Sequence, residues 1–204
     1  VQVEYMSGWG SEHAEAQGKR GAIWRTDPAI GGPSTAVCDL GTHAHHLARF
    51  VTGLETTEVA AELSTLVAGR VADDNAHILL RFDNRARGML WATMAAAGAA
   101  NGLRLRVFGP AGHIEWTQEE PETLTLRPIN GPVQIFRRAM PGAPVAEALS
   151  RRRPGQPEGI VDAFANIYRG VAARISEING GITDITLAFP DAGDGVAGGA
   201  FVEA

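Results

Sequence analysis

A single cysteine, Cys38, stands among the 204 residues, so no internal disulfide can form, and a protein of the reducing cytoplasm is expected. Long apolar runs are missing as well. No window approaches the roughly 20 consecutive apolar residues that cross a bilayer, and "VQVEYMSGW" lacks the basic-then-apolar layout of a signal peptide. No membrane role is expected. Basic charge is in deficit: 18 Lys and Arg stand against 23 Asp and Glu, for a formal charge of -5, which argues against nucleic acid or anionic lipid as a partner. The run Arg151, Arg152, Arg153 sits beside Pro154 and reads as a solvated loop. There is no internal repeat and no low-complexity tract.

What is present is the composition of one globular domain, 45% hydrophobic and 20% charged. Residues 1–9 alternate like a strand, and 10–33 are polar and rich in Gly and Pro, which predicts a long loop. A helix is expected from an N-cap at Ser34 or Thr35 to Thr52, stopped by Gly53. "TEVAAELSTLVA", "AHILLRF", "ARGMLWATMAA", "LRLRVFG" and "HIEWTQ" then carry period-2 stretches bounded by turn chemistry, which predicts an antiparallel meander. Shorter strands are expected at "ETLTLRP" and "VQIFRR", then a loop to about residue 157 and a helix through "EGIVDAFANIYRGVAARISEING". The order predicts an α+β fold, a two-layer sandwich with helices on one face of an open, mostly antiparallel sheet.

The segment "GGPSTAVCDLGTHAHHLARFVTG", residues 31–53, packs Asp39, His43, His45 and His46 into eight positions. At about 100° per residue, Val37, Leu40, Ala44, Leu47 and Val51 form an apolar stripe for the sheet. Asp39, His43 and His46 share a sector at the border of that stripe, where a pocket could be lined, and His45 points elsewhere, toward solvent. Three readings fit the sector: a polar flank with an Asp39–His43 pair at i,i+4, a metal site using Asp39, His43 and His46, and acid–base catalysis in which a carboxylate orients an imidazole. There is no H-E-x-x-H and no clear further ligand.

The stretch "WRTDPAIGGPSTAVCDLGTHAHHLARFVTG" resembles W-R-x-D-P…G-G…D-x-G-x-H…L…F-x-x-G in the second domain of the glucose-fructose oxidoreductase/inositol dehydrogenase/rhizopine-catabolism (Gfo/Idh/MocA) family. The resemblance continues through "DDNAHILLRFDNRARGMLWATMAAAGAANGLRLRVFGPAGHIEWTQEEPETL", "PEGIVDAFANIYRGVA" and "DGVAGGAFVEA". It implies a glyceraldehyde-3-phosphate-dehydrogenase-like C-terminal domain of an NAD- or NADP-dependent oxidoreductase that moves hydride to or from a sugar, polyol or related small substrate. By motif position His43 would be the general base or acid, Asp39 would hold the substrate or the histidine, and Trp24 and Arg25 would lie in a loop near the substrate. His46 stands where several relatives carry Asp or Asn facing the substrate.

Two features of that family are missing. No G-x-G-x-x-G follows a strand and opens a helix, for "FGPAG" reads as a hairpin turn and "GVAGGA" has the wrong spacing. The family's catalytic lysine in an E-K-P segment has no counterpart either, since the single lysine is Lys19 in "QGKRG". Residues 1–204 are therefore expected to be the C-terminal substrate, catalytic and oligomerisation domain, inactive alone, with the cofactor held mainly by an N-terminal Rossmann domain outside this chain. No cofactor-binding residue and no metal is assigned within it. Apolar residues on both strand phases predict a homodimer through the open sheet face. The alternative is a non-catalytic ligand-binding or assembly module on the same fold.

Overall fold

The computed structural model describes residues 1–141, 149–181 and 189–204. Eight strands form one sheet: β1 (Gln2–Met6), β2 (Thr56–Ser64), β3 (Asn75–Phe82), β4 (Arg87–Thr93), β5 (Gly102–Gly109), β6 (Gly112–Thr117), β7 (Thr123–Pro128) and β8 (Gln134–Arg137). Their order is β2-β3-β4-β1-β5-β6-β7-β8. Every neighbouring pair is antiparallel except β1 and β4, which run parallel with Val3 opposite Leu90. The fold is α+β with an open, mostly antiparallel sheet, as the element order predicts. The meander, however, is interrupted, because β1 is inserted between β4 and β5 by pairs more than 80 residues apart in sequence.

Alternation decides which face is buried. In β3, Ala76, Ile78, Leu80 and Phe82 are buried while His77, Leu79 and Arg81 are exposed. Register carries the same phase into Leu90 on β4, Val3 on β1 and Leu105 on β5. Covering this face is the helix that runs from residue 35 to Thr52, with Phe201 from α5 (Ala192–Glu203) in the same cluster. Its buried stripe is Val37, Leu40, Ala44 and Ala48, with Leu47 at the margin. Val51, expected in the stripe, is 43% exposed.

Residues 10–33, expected to be all loop, contain α1 (Arg20–Thr26) and α2 (Pro28–Gly31). Asp27 ends the first and caps the second by accepting from the Ala29 N–H, with Pro28 in the first-turn position that needs no donor. The loop around them is pinned by Arg70. Its guanidinium and the Asp74 carboxylate are fully buried and 3.0 Å apart, and Arg70 also donates to Glu15 and to the carbonyls of Gly10 and Glu12. The late helix spans Ile160–Ile178 and becomes α4. Residues 142–148 of the expected loop before it lie outside the described residues.

Candidate functional site

Ser34 is the N-cap of the helix, its Oγ accepting from the Val37 N–H at 3.1 Å. Asp73, from the loop between β2 and β3, accepts from Ser34 Oγ, Thr35 N–H and Ala36 N–H. The start of the helix thus has its donors satisfied by a residue no local pattern announces. Gly53 closes the other end with φ 67°, its N–H bonded to the Arg49 carbonyl.

Between these ends the winding changes. Val37–Gly41 is a π-helical turn, with the Thr42 N–H reaching the Val37 carbonyl five residues back. Thr42–Thr52 continues as α3. A wheel of uniform pitch is therefore wrong across this turn, and positions four apart no longer stack. Asp39 lies in the π turn and gives its carboxylate to Arg25, not to His43. The intrahelical Asp39–His43 pair considered from spacing does not form.

The side of the helix that carries Asp39 meets α1. Arg25 Nε donates to Asp39 Oδ1 at 2.9 Å and Nη1 to the Gly21 carbonyl at 2.8 Å. Its Cζ lies 4.2 Å from the centre of the Trp24 ring and 5.6 Å from that of Trp9, so indoles flank the guanidinium. A cavity of about 350 Å³ opens here, lined by Trp9, Lys19, Arg25 and Asp39 among others. Gly31 permits the arrangement: a Cβ there would sit 2.4 Å from the Arg25 carbonyl oxygen and 2.9 Å from that of Trp24. With both partners partly exposed, the ion pair contributes at most about 1 kcal/mol to stability. Its effect is to fix where the two side chains stand.

His43 and His46 line a second cavity, about 610 Å³, with Cys38, Thr42, Asp194 and Val202. The His43 ring is exposed, touches the Tyr5 ring edge-on at 5.9 Å, and has no hydrogen-bond partner among the described residues. Tyr5 is itself anchored, its hydroxyl donating to Asn101 Oδ1 at 2.6 Å. His46 Nε2 lies 3.8 Å from Asp194 Oδ1. The Asp191 backbone N–H, and after it Arg49, hold the Asp194 carboxyl below the usual carboxylate range.

His45, expected toward solvent, is 3% exposed. It stacks on Phe201 and pairs its Nε2 with Thr56 Oγ1 at 3.1 Å. Burial, reinforced by Arg49, drives its pKa down to about 4. The helix presses this face on α5 and the start of β2, which an apolar stripe confined to one flank cannot reveal.

Of the predicted site residues, Arg25, Trp24 and Asp39 come together on one flank, and His43 and His46 on the other. Trp9, Tyr5 and Asp194 were not foreseen. Trp9 alone had a visible signal, an indole just after the first strand. Among the described residues no cluster of three or more His, Cys, Asp or Glu is placed to hold a metal ion. "FGPAG" forms the β5–β6 hairpin and "GVAGGA" lies inside α5, so neither makes the strand-to-helix turn that receives a pyrophosphate. No helix among the described residues is long and apolar enough to cross a membrane.

Comparison with known proteins places this architecture. YfiI, an uncharacterized oxidoreductase of Bacillus subtilis (strain 168), is 31% identical over 208 residues, which cover 100% of this chain and 53% of YfiI. The chain therefore spans about half the length of that relative. The crystal structure of an oxidoreductase from Sinorhizobium meliloti matches with 39% identity and a TM-score of 0.84, covering 99% of this chain and 52% of that one. An inositol dehydrogenase homolog from Azotobacter vinelandii, complexed with NAD+, matches with 30% identity and a TM-score of 0.87 over 99% of this chain and 54% of that one. Complexed with NADH and myo-inositol, it matches with 28% identity and a TM-score of 0.81 over 99% and 52%. A family model, GFO/IDH/MocA C-terminal domain, matches residues 1–115 of the 204. That match takes in β1, the helix with Asp39 and His43 and most of the sheet, and the chain belongs to the GFO/IDH/MocA C-terminal domain family.

Proposed function

We propose that this chain is the substrate half of a nicotinamide-dependent oxidoreductase acting on a hydroxyl or carbonyl of a sugar, polyol or related small molecule. The observation that carries it is the His43 imidazole, exposed on a cavity wall and free of protein hydrogen bonds among the described residues, which leaves a ring nitrogen available to a ligand. NAD or NADP supplies the hydride acceptor or donor when bound. Since neither Gly-rich stretch of the chain fits a pyrophosphate, that group is assigned mainly to an N-terminal Rossmann domain outside this chain, and the isolated chain is expected to be inactive.

In this reading His43 takes the proton from the reacting hydroxyl, or returns it in the reverse direction. Asp39, fixed by Arg25, accepts a hydrogen bond from a substrate hydroxyl, which replaces the expected direct hold on the imidazole. Trp24, Arg25 and His46 complete the substrate walls. The relatives support the class: the Azotobacter vinelandii homolog is complexed with NADH and myo-inositol. Two copies are proposed to pair through the open sheet face, where Leu79, Met89 and Phe108 are 65%, 44% and 55% exposed.

The test is His43→Asn in the full-length protein, with polyols and sugars screened against NAD and NADP. A fall in kcat of roughly 10²- to 10⁴-fold with dinucleotide affinity intact is expected. An unchanged kcat would remove His43 from the chemistry.

A further inference from the structure

Asp39 and Arg25 are joined by one hydrogen bond where two are geometrically available. A guanidinium offers a carboxylate two parallel N–H groups, from Nε and Nη2. Here Nε alone is used, bonded to Asp39 Oδ1, and Nη1 is turned away to the Gly21 carbonyl. Among the described residues, Nη2 and Asp39 Oδ2 have no hydrogen-bond partner. A charged donor and a charged acceptor are thus left side by side. Both residues belong to the lining of the roughly 350 Å³ cavity that also includes Trp9, itself 38% exposed.

We infer that this half-used ion pair is a reader of vicinal diols, in which one hydroxyl donates to Asp39 Oδ2 and the hydroxyl on the adjacent carbon accepts from Arg25 Nη2. Three observations support the class. The free donor and acceptor sit on the two adjacent groups of one monodentate pair, a juxtaposition that suits neighbouring oxygens. The Trp9 ring offers an apolar wall to the C–H face of a ring whose hydroxyls point at the ion pair. The guanidinium is held in place by the Gly21 carbonyl and by Trp24, so its direction does not depend on ligand. Both groups are charged, and hydrogen bonds to charged groups contribute more than neutral ones. Arg25 thereby becomes a specificity-determining residue as well as the support of Asp39. The inference rests on reading this cavity as part of the substrate site.

The experiment measures binding by ligand-observed NMR to the full-length protein, using cis-1,2-cyclohexanediol, 1,3-cyclohexanediol and cyclohexanol as probes. The 1,2-diol is expected to bind about tenfold more tightly than either of the others. Arg25→Lys, which keeps the charge and loses the fork, and Arg25→Ala should both abolish that ratio. His43→Asn should leave it in place. Equal affinity for the 1,2- and 1,3-diols would overturn the inference, as would a preference that survives both Arg25 variants or a loss of affinity equal for all three probes. A diol preference in a protein that turns over no polyol would instead defeat the proposed function and leave this assignment standing. Loss of turnover in His43→Asn without any diol preference would do the reverse.

Discussion

The imidazole of His45 lies flat on the ring of Phe201, with centroids 4.1 Å apart and planes 3° from parallel. This contact joins the site helix to α5, the element that also supplies Asp194 and Val202 to the cavity of His43. Its strength depends on a neutral imidazole, because a buried proton there faces Arg49 with only Glu55 in opposition.

Stability should therefore fall in mild acid. The folded-state pKa of His45, about 4, lies below the 6.5 of a free imidazole. The unfolded chain then binds the extra proton between these values, and the contribution is complete above about pH 6.5 and lost as pH falls toward 4. It amounts to on the order of 3 kcal/mol. Urea midpoints at pH 7.5 and 5.0 should show a smaller drop in His45→Phe than in the parent. An identical drop would mean that His45 is not the group being titrated.

Coupling should follow the observed pairing. In a double-mutant cycle on kcat/KM, Arg25→Ala and Asp39→Asn are expected to be non-additive by about 1 kcal/mol or more, since the second change removes a group the first has already released. Asp39→Asn and His43→Asn should add to within about 0.5 kcal/mol. Strong coupling in that second cycle would show that Asp39 and His43 act as one unit during turnover.

Arg70 and Asp74 are both fully buried and paired. Asp74→Ala strands a buried guanidinium beside Glu15 and should cost about 3–5 kcal/mol in denaturant unfolding. A loss below about 1 kcal/mol would show that water reaches Arg70.

Gly31→Ala tests the support of the Arg25 helix. A methyl 2.4 Å from the Arg25 carbonyl oxygen must displace α1. Substrate affinity is expected to fall at least about tenfold while the melting temperature changes by no more than a few degrees. Unaltered kinetics would mean that α1 tolerates the shift.

For assembly, Leu79→Lys and Met89→Lys should each shift full-length protein toward monomer in light scattering, because both side chains stand on the open sheet face. A parent already monomeric at high micromolar concentration would end the pairing model.

Much of this was legible in local pattern. The period-2 runs of β3 and β5, Ser34 as a cap, Gly53 as a stop and the late helix all rest on nearest-neighbour chemistry, and all formed as read. What stayed hidden came from elsewhere in the chain. The Asp73 cap lies nearly 40 residues from the helix it serves, and the Arg70 bond to Glu15 spans 55. Charged residues look alike in sequence whether solvated or buried in a pair. The π turn has no compositional mark, so a wheel of constant pitch placed Asp39 beside His43, and His45 is buried by α5 and the start of β2, which nothing within the helix announces. α1 and α2 were missed because Gly and Pro punctuation in 10–33 outweighs seven- and four-residue helices. That Trp24, Arg25, Asp39, His43 and His46 could line a pocket was readable, and their division between two cavities was not.

The insertion of β1 between β4 and β5 also sets an order of events. Gln2–Met6 pairs with Met89–Thr93 on one side and with Gly102–Arg106 on the other, so as the chain emerges the first five-residue strand has no seat until about a hundred residues later. The hairpin of β2 and β3 and that of β5 and β6 can each close early from local contacts, leaving two half-sheets with unsatisfied inner edges. Capture of β1 is the long-range closure that joins them. That step buries Val3, brings Tyr5 against His43, and sets a long-range closure of the sheet directly beside the proposed catalytic histidine.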